Sequence, residues 1–326
     1  MFSYFKSKEK SKNAFTIAFY NLENLFDTVD DPKTFDDDFT SGGKLKWSKK
    51  RYFKKINKLS HVIKQLGTEK SFVPPVLVGV AEVENKKVLE DLVRSKNLQK
   101  FHYDYVHYDS MDDRGIDVGL LYNKQLFELL HSERFSLYIE NEDGEQDFTR
   151  DVLLVKGNFN GELMYILVNH WPSRRQGTEE SDYKRVKASE LNREIIDKIR
   201  FEDENAKIVV MGDFNDNPNN NSIQNLIKDD FYNPMQSIVS KGKGTLKYKD
   251  DWYLFDQIIF SKNFKKAKED QHSFKYAEVF DRDFMKVFKG KNKGKPFRTY
   301  IGPWYQGGFS DHFPVYVYLK KMSRPK

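Results

Sequence analysis

The stretch Lys207-Ile208-Val209-Val210-Met211-Gly212-Asp213-Phe214-Asn215-Asp216-Asn217-Pro218 decides how the rest of the chain is read. Its apolar run, Ile208 to Met211, has the length of a buried strand, and Gly212 releases the backbone into a turn dense in Asp and Asn. A carboxylate and a carboxamide then stand at a strand end. Asp213 offers anionic oxygens to a hard cation, and Asn215, two residues on, offers a neutral donor and acceptor towards the same side. That pair suits a metal-bound phosphate. Taken alone, the stretch fits equally a strand-to-helix turn in which both residues cap the following segment. The other strand ends decide.

Phe15 to Tyr20 is a compact aromatic and branched run that reads as a strand and stops at Asn21. Val76 to Ala81 is a second strand, ending in Glu82-Val83-Glu84. Val152 to Val155 and Leu163 to Val168 read as a hairpin around a turn at 157–161, and the second arm runs into Asn169-His170. Leu254 to Phe260 carries one embedded carboxylate, Asp256, and Ser310-Asp311-His312 precedes the last strand, Phe313 to Leu319. Tyr103 to His107 reads as an edge strand, and Ile116 to Tyr122 as another strand with Asp117 among apolar neighbours.

Between these runs, Trp47 to Leu66 repeats apolar residues at helical spacing, Phe53, Ile56, Leu59, Ile63 and Leu66, with lysines on a solvated face. Lys86 to Arg94 is a short helix, and Glu179 to Arg200 a long one with Ala188, Leu191, Ile195 and Ile199 on its core side. Strands that mix with helices but also pair as hairpins do not fit a simple alternating parallel sheet, so the expected fold is a two-sheet sandwich flanked by helices. Polar groups recur at its strand ends: Asn21, Glu82, His170, Asp213 with Asn215, and Asp311 with His312. Five such ends in one chain point to a shared rim.

The chain has 326 residues, 38% of them hydrophobic and 15% aromatic, enough for one large core. A single domain over 14–322 is expected, with a disordered Lys/Ser lead-in at 1–13 and a basic, Gly-bearing insertion at 262–308. There is no cysteine, which excludes disulfides, thiolate metal sites and a cysteine nucleophile. Lys and Arg outnumber Asp and Glu by 55 to 49, a formal +6 that mildly favours polyanionic partners. No apolar run approaches the ~20 residues of a membrane span. A monomer in the cytoplasm is expected, a secreted form with a cleaved leader being the alternative.

Glu82, Asp213 and Asp311 would make an oxygen-only site, which suits Mg²⁺ or Mn²⁺ better than zinc. His312 and His170 are the two candidates to handle protons, since imidazole titrates near neutral pH. Asp256, on a neighbouring strand, could orient His312. Arg150, Arg174 and Arg175 could clamp phosphate oxygens. With no nucleophilic Ser or Cys motif, attack by water is the simplest chemistry. His102, His107 and His131 read as ordinary surface or edge histidines.

Phe19-Tyr20-Asn21, Ala81-Glu82-Val83, Val168-Asn169-His170, Met211-Gly212-Asp213-Phe214-Asn215, Phe255-Asp256-Gln257-Ile258 and Ser310-Asp311-His312-Phe313-Pro314 resemble the ordered motifs of the endonuclease/exonuclease/phosphatase family. This is the superfamily of DNase I, exonuclease III-type enzymes, inositol polyphosphate phosphatases and neutral sphingomyelinases. The resemblance runs from residue 15 to 319, and Gly-Asp-Phe-Asn with a distant Ser-Asp-His is specific as a pair. It implies a four-layer αββα sandwich of DNase I type and Mg²⁺-dependent cleavage of phosphate esters by in-line attack of water. By position it implies Glu82 as main metal ligand, with Asn21 and Asp311 on the metal side. Asp213 would position the water, Asn215 would bind a phosphate oxygen, and His312, held by Asp256, would be general base or phosphate binder. His170 resembles the second histidine of the DNase I, phosphatase and sphingomyelinase branches, and Arg150 the phosphate-contacting arginine of the DNase I branch.

The sequence also departs from the pattern. Ala81 stands where many members have Gln before the metal-binding Glu, and Glu84 is a rival to Glu82 for the metal. Arg114-Gly115-Ile116-Asp117-Val118, Pro296-Phe297-Arg298-Thr299-Tyr300 and Gly307-Gly308-Phe309 resemble a bacterial subgroup, and Arg114 joins the candidate phosphate contacts. The expected function is a divalent-metal-dependent phosphodiesterase acting on nucleic acid. A phosphatase or phospholipid phosphodiesterase is the first alternative, and a catalytically silent binding module the second.

Overall fold

The run that opened the reading, Lys207–Asp213, is a fully buried strand whose side chains divide between two cores. Val209 and Met211 face one apolar cluster, and Ile208 and Val210 the other. That alternation is what a strand covered on both faces requires, and it explains a continuous apolar run without polar positions. One face meets a second sheet and the other meets helices.

The computed structural model describes residues 10–140, 144–174, 177, 179, 181–228 and 230–322. Arg175 and residues 1–9 of the expected lead-in lie outside the described residues. In chain order the elements are β1 (Ala14–Leu25), α1 (Lys49–Gln65), β2 (Leu77–Val83), α2 (Lys86–Val93), β3 (Tyr103–His107), β4 (Asp117–Asn123), β5 (Phe127–Phe135), β6 (Val152–Phe159), β7 (Glu162–His170), α3 (Asp182–Glu202), β8 (Lys207–Asp213), α4 (Asn221–Ile227), β9 (Phe231–Tyr232), α5 (Gln236–Val239), β10 (Leu246–Tyr248), β11 (Asp251–Tyr253), β12 (Asp256–Ser261), β13 (His272–Val279), β14 (Tyr300–Ile301), β15 (Trp304–Tyr305) and β16 (Val315–Lys321).

Two six-stranded mixed sheets result, ordered β13-β16-β1-β2-β4-β3 and β5-β6-β7-β8-β12-β9. They face each other across the larger core, and α3 and α4 cover the outer side of the second sheet. This is the expected four-layer α/β sandwich. The two sheets approach closely at Gly79 of β2, where a Cβ would lie 2.6 Å from Met211 Sδ, so a larger residue there would force the Met211 side chain to shift.

In each sheet one central pair is parallel, β1 with β2 and β7 with β8, and the remaining pairs are antiparallel. The parallel crossovers run through α1 and α3, so the C-terminal ends of all four strands fall on one rim. His170 and Asp213 end their strands there, and Asn21 and Glu82 lie in the C-terminal parts of β1 and β2. Antiparallel β12 begins there, with Asp256 opposite Asp213.

Some sequence expectations change. β1 does not stop at Asn21 but continues to Leu25 through an irregular register. Phe53 is exposed, and the buried side of α1 is carried instead by Tyr52, Lys55, Ile56, Leu59, Val62 and Ile63. The stretch 262–308, expected as an insertion, contains β13, which pairs with β16 as the edge of the first sheet. β5 was not foreseen, because as a half-exposed edge strand rich in Glu, His, Ser and Arg it has no apolar run to mark it.

Candidate active site

Asn21 stands at the centre of the rim. Its side-chain amide donates to Glu82 Oε1 at 3.3 Å in its own sheet and to Asp213 Oδ2 at 3.0 Å in the facing one. Glu82 has φ +59°, a left-handed backbone that breaks the β2 register and lets its second oxygen accept from Asn24 N–H at 2.8 Å. Gly212 is required next door, since a Cβ there would lie 2.4 Å from the Asn169 carbonyl.

Asp213 is buried, and Oδ2 is approached from three sides. Besides Asn21, His170 Nε2 and His312 Nδ1 each lie 3.9 Å away. Its other oxygen accepts from Asn215 N–H at 3.0 Å. Asn215 takes φ +50°, which its side chain tolerates, and its amide donates to the Trp171 carbonyl at 3.0 Å. Burial, reinforced by Asp256, pushes the Asp213 carboxyl up to about 6, against the pull of His312 and two hydrogen bonds.

His312 Nδ1 lies 2.7 Å from Asp256 Oδ2. A carboxylate oxygen only accepts, so Nδ1 carries the hydrogen and Nε2 is left for the site. Burial works against the charged ring, but Asp256, Asp213 and Asp311 win and hold its pKa well above the ordinary imidazole value. The loop that carries it is pinned by Ser310, whose hydroxyl donates to the Asn21 carbonyl at 2.7 Å and accepts from His312 N–H.

A second layer was not anticipated in the sequence. Arg298 bridges Glu23 (3.0 Å) and Asp311 (2.9 Å), while buried Lys55 donates to the Glu23 carbonyl and to Thr299 Oγ1. Burial and Asp311 raise the Glu23 pKa, and burial lowers that of Lys55. Burial would raise Asp311 too, but His312, Arg298 and Lys55 hold it below the usual carboxylate range. Lys55 carried a readable signal, because it sits on the buried side of α1 between Tyr52 and Leu59. Glu23 carried none beyond its nearness to Asn21.

Five carboxylates, those of Glu23, Glu82, Asp213, Asp256 and Asp311, thus interact with three cations, Lys55, Arg298 and His312. The two negative charges in excess, on oxygen donors, are of the kind that suits a hard divalent cation. Glu84 is turned away from this centre: it accepts from Asp27 N–H, and burial pushes its carboxyl up to about 8.

The expected phosphate contacts fare differently. Arg114 donates to Asn24 Oδ1 at 2.6 Å, one step from Glu82, and Arg150 pairs with Asp112 at 3.1 Å and donates to the Trp171 carbonyl at 2.8 Å. Both line one cleft of about 240 Å³. Arg174 instead turns inward, to the Asn215 carbonyl at 2.6 Å, to Asn220 and to buried Asp216, which Arg185 also holds at 2.9 Å. It secures the turn rather than facing the cleft. His107, read as an ordinary edge histidine, is buried, with Nε2 3.3 Å from Asp117.

The sequence profile of the Endonuclease/Exonuclease/phosphatase family matches residues 16–321. No curated protein matches. Among solved structures, the chain is similar to a humanized D. rerio TDP2 carrying 14 mutations (TM-score 0.59, 14% identity, 95% of this chain and 100% of that one). It is also similar to an endonuclease/exonuclease/phosphatase family protein from Bacteroides thetaiotaomicron (0.58, 17%, 94% and 98%). A mannosyl-6-phosphatase from Bacteroides thetaiotaomicron VPI-5482 gives 0.57 at 17% identity, covering 94% and 99%. At these identities the likeness establishes the DNase I-like fold. No helix among the described residues is long and apolar enough to cross a membrane.

Proposed function

Because the chain belongs to the endonuclease/exonuclease/phosphatase family, we propose that it is a phosphodiesterase that hydrolyses nucleic acid with Mg²⁺ or Mn²⁺. The observation that carries this reading is the contact of Asn21 with both Glu82 and Asp213, which joins the acidic ends of two sheets into one centre. Held by Glu82, Asn21 and Asp311, the cation would neutralise the phosphate and stabilise the leaving oxygen.

The protein groups divide the remaining work. Asp213, with a pKa near 6, is ionised at neutral pH yet basic enough to hold a water and take its proton. His312, kept cationic by Asp256, donates from Nε2 to a phosphate oxygen rather than acting as the base. Asn215 supplies a further donor to the phosphate, His170 flanks Asp213 from the other side, and Arg114 and Arg150 stand in the adjoining cleft.

The test is a panel of DNA, RNA, phosphomonoester and phospholipid substrates with either metal, run beside His312→Ala. Cleavage of polynucleotide that is lost in the variant supports the reading. A panel in which DNA and RNA stay intact while a phosphomonoester or lipid is turned over replaces it with the phosphatase or phospholipase alternative.

A further inference from the structure

Between Phe284 and Ser310 the chain has no acidic residue, but it carries Lys286, Lys289, Lys291, Lys293, Lys295 and Arg298, as many positive charges as the net excess of the whole protein. This segment folds back on itself. Val287 N–H donates to the Lys295 carbonyl, Gly294 N–H to the Val287 carbonyl, and Phe297 N–H to the Met285 carbonyl. The closed loop is then fastened to the active site through Arg298 and Asp311.

A cavity of about 350 Å³ opens beside that fastening, lined by Lys247, Lys289, Lys291, Lys295, Arg298 and Asp311. Lys286 on the same loop is paired with Asp281 at 3.2 Å. By contrast, none of the four lysines in the cavity has a carboxylate partner among the described residues. Four lysines without a carboxylate partner around a concave space suit an anion, and one phosphate does not need four of them. Aromatic faces stand beside the charges. Trp304, paired across the β14–β15 hairpin with the cavity residue Ile301, is 73% exposed, and Phe288, next to Lys289, is 77% exposed.

From this juxtaposition we infer that the cavity is a binding track for a single polynucleotide strand, carrying the phosphates that neighbour the scissile one while bases stack on Trp304 and Phe288. The inference rests on the phosphodiesterase reading and names its substrate as single-stranded. Interleaved lysines and ring faces are how proteins hold single strands without reading their sequence. A flat lipid surface would leave the concave arrangement of the lysines unused.

The decisive experiment measures binding of a fluorescent single-stranded oligonucleotide, without divalent metal, across a salt series. The proteins compared are the full chain, the triple variant Lys289→Gln/Lys291→Gln/Lys295→Gln, and Trp304→Ala. The triple variant is expected to bind about tenfold or more weaker at low salt, with the log–log salt slope smaller by about 2, since each lost contact on a single strand removes ~0.7. Trp304→Ala should weaken binding ~5-fold or more with the slope unchanged. Turnover of bis(4-nitrophenyl) phosphate, too small to reach the track, should stay within about twofold in both.

Wild-type affinity and slope in the triple variant would overturn the inference. So would binding to phosphatidylserine vesicles that the triple variant loses while its oligonucleotide binding is unchanged. Should the wild type cleave no phosphodiester, the function reading fails, and the metal-free binding arm still decides the track.

Discussion

Asn21 Nδ2 and Asp213 Oδ2 are 3.0 Å apart, although the two residues lie on strands of different sheets. Asn21→Ala removes the donor and leaves a buried carboxylate oxygen short of a partner. Hydrogen bonds to charged groups contribute ~1.5–3 kcal/mol, so turnover of a phosphodiester should fall by roughly 10- to 100-fold. Steady-state kinetics check this, and a variant within twofold of wild type would show that the contact is incidental.

His312 and Asp256 should behave as one unit. His312→Ala is expected to lower kcat by ~10²–10³-fold, as when a donor to developing charge is removed. Asp256→Asn still offers an amide oxygen to Nδ1–H but no longer holds the charge, so its loss should be smaller. The double variant should be no slower than His312→Ala alone. Additive losses in this cycle would mean that Asp256 acts on something other than His312.

The turn after β8 is held by a buried ion pair outside the reacting groups. Asp216 is fully buried between Arg185, Arg174 and Ser222. Asp216→Ala takes the shared carboxylate from two guanidinium groups, leaving Arg174 on the Asn215 carbonyl and Asn220 and Arg185 on Ser181 and Asp182, and should cost about 3–5 kcal/mol, a fall in Tm on the order of 10 °C. Thermal unfolding measures it, and a fall of only a degree or two would show that the arginines find other partners.

Stability should decline on the acid side through a pair remote from the site. His272 Nδ1 lies 2.7 Å from Glu162 Oε2, and Lys207 is 3.0 Å from the other oxygen. Burial, only partly opposed by Glu162, lowers the His272 pKa, so the unfolded chain takes up that proton first and stability begins to fall below about 6.5. Burial would raise Glu162, but His272 and Lys207 hold it down, so its contribution is present above its usual 4.5 and is lost as pH falls through its lowered value. His272→Gln should therefore flatten the fall of Tm that begins below about 6.5, leaving the loss at more acid pH to Glu162 and Lys207. An unchanged profile would contradict the assignment.

The rim was legible in the sequence because its residues sit where apolar runs stop. Asn21, Glu82, His170 and Asp213 each follow a strand whose composition marks it, and their meeting follows from the parallel pairing of β1 with β2 and β7 with β8. Residues arriving from loops were harder. Arg298 and Glu23 lie 275 positions apart, and nothing local links them. Lys55 was hidden by charge, since a lysine among lysines reads as solvated although its spacing puts it on the buried face. Arg174 looked like a phosphate contact because sequence shows its charge but not buried Asp216, which claims it.

Membership of Glu82 in a divalent-metal centre for phosphodiester hydrolysis is read from the rate of bis(4-nitrophenyl) phosphate cleavage as Mg²⁺ or Mn²⁺ is titrated into wild type and Glu82→Gln. The wild type should show saturable activation and no rate without metal, and the variant a loss of ~10²-fold or more at any metal concentration. A wild-type rate independent of both metals, or a variant that matches wild type, would contradict it.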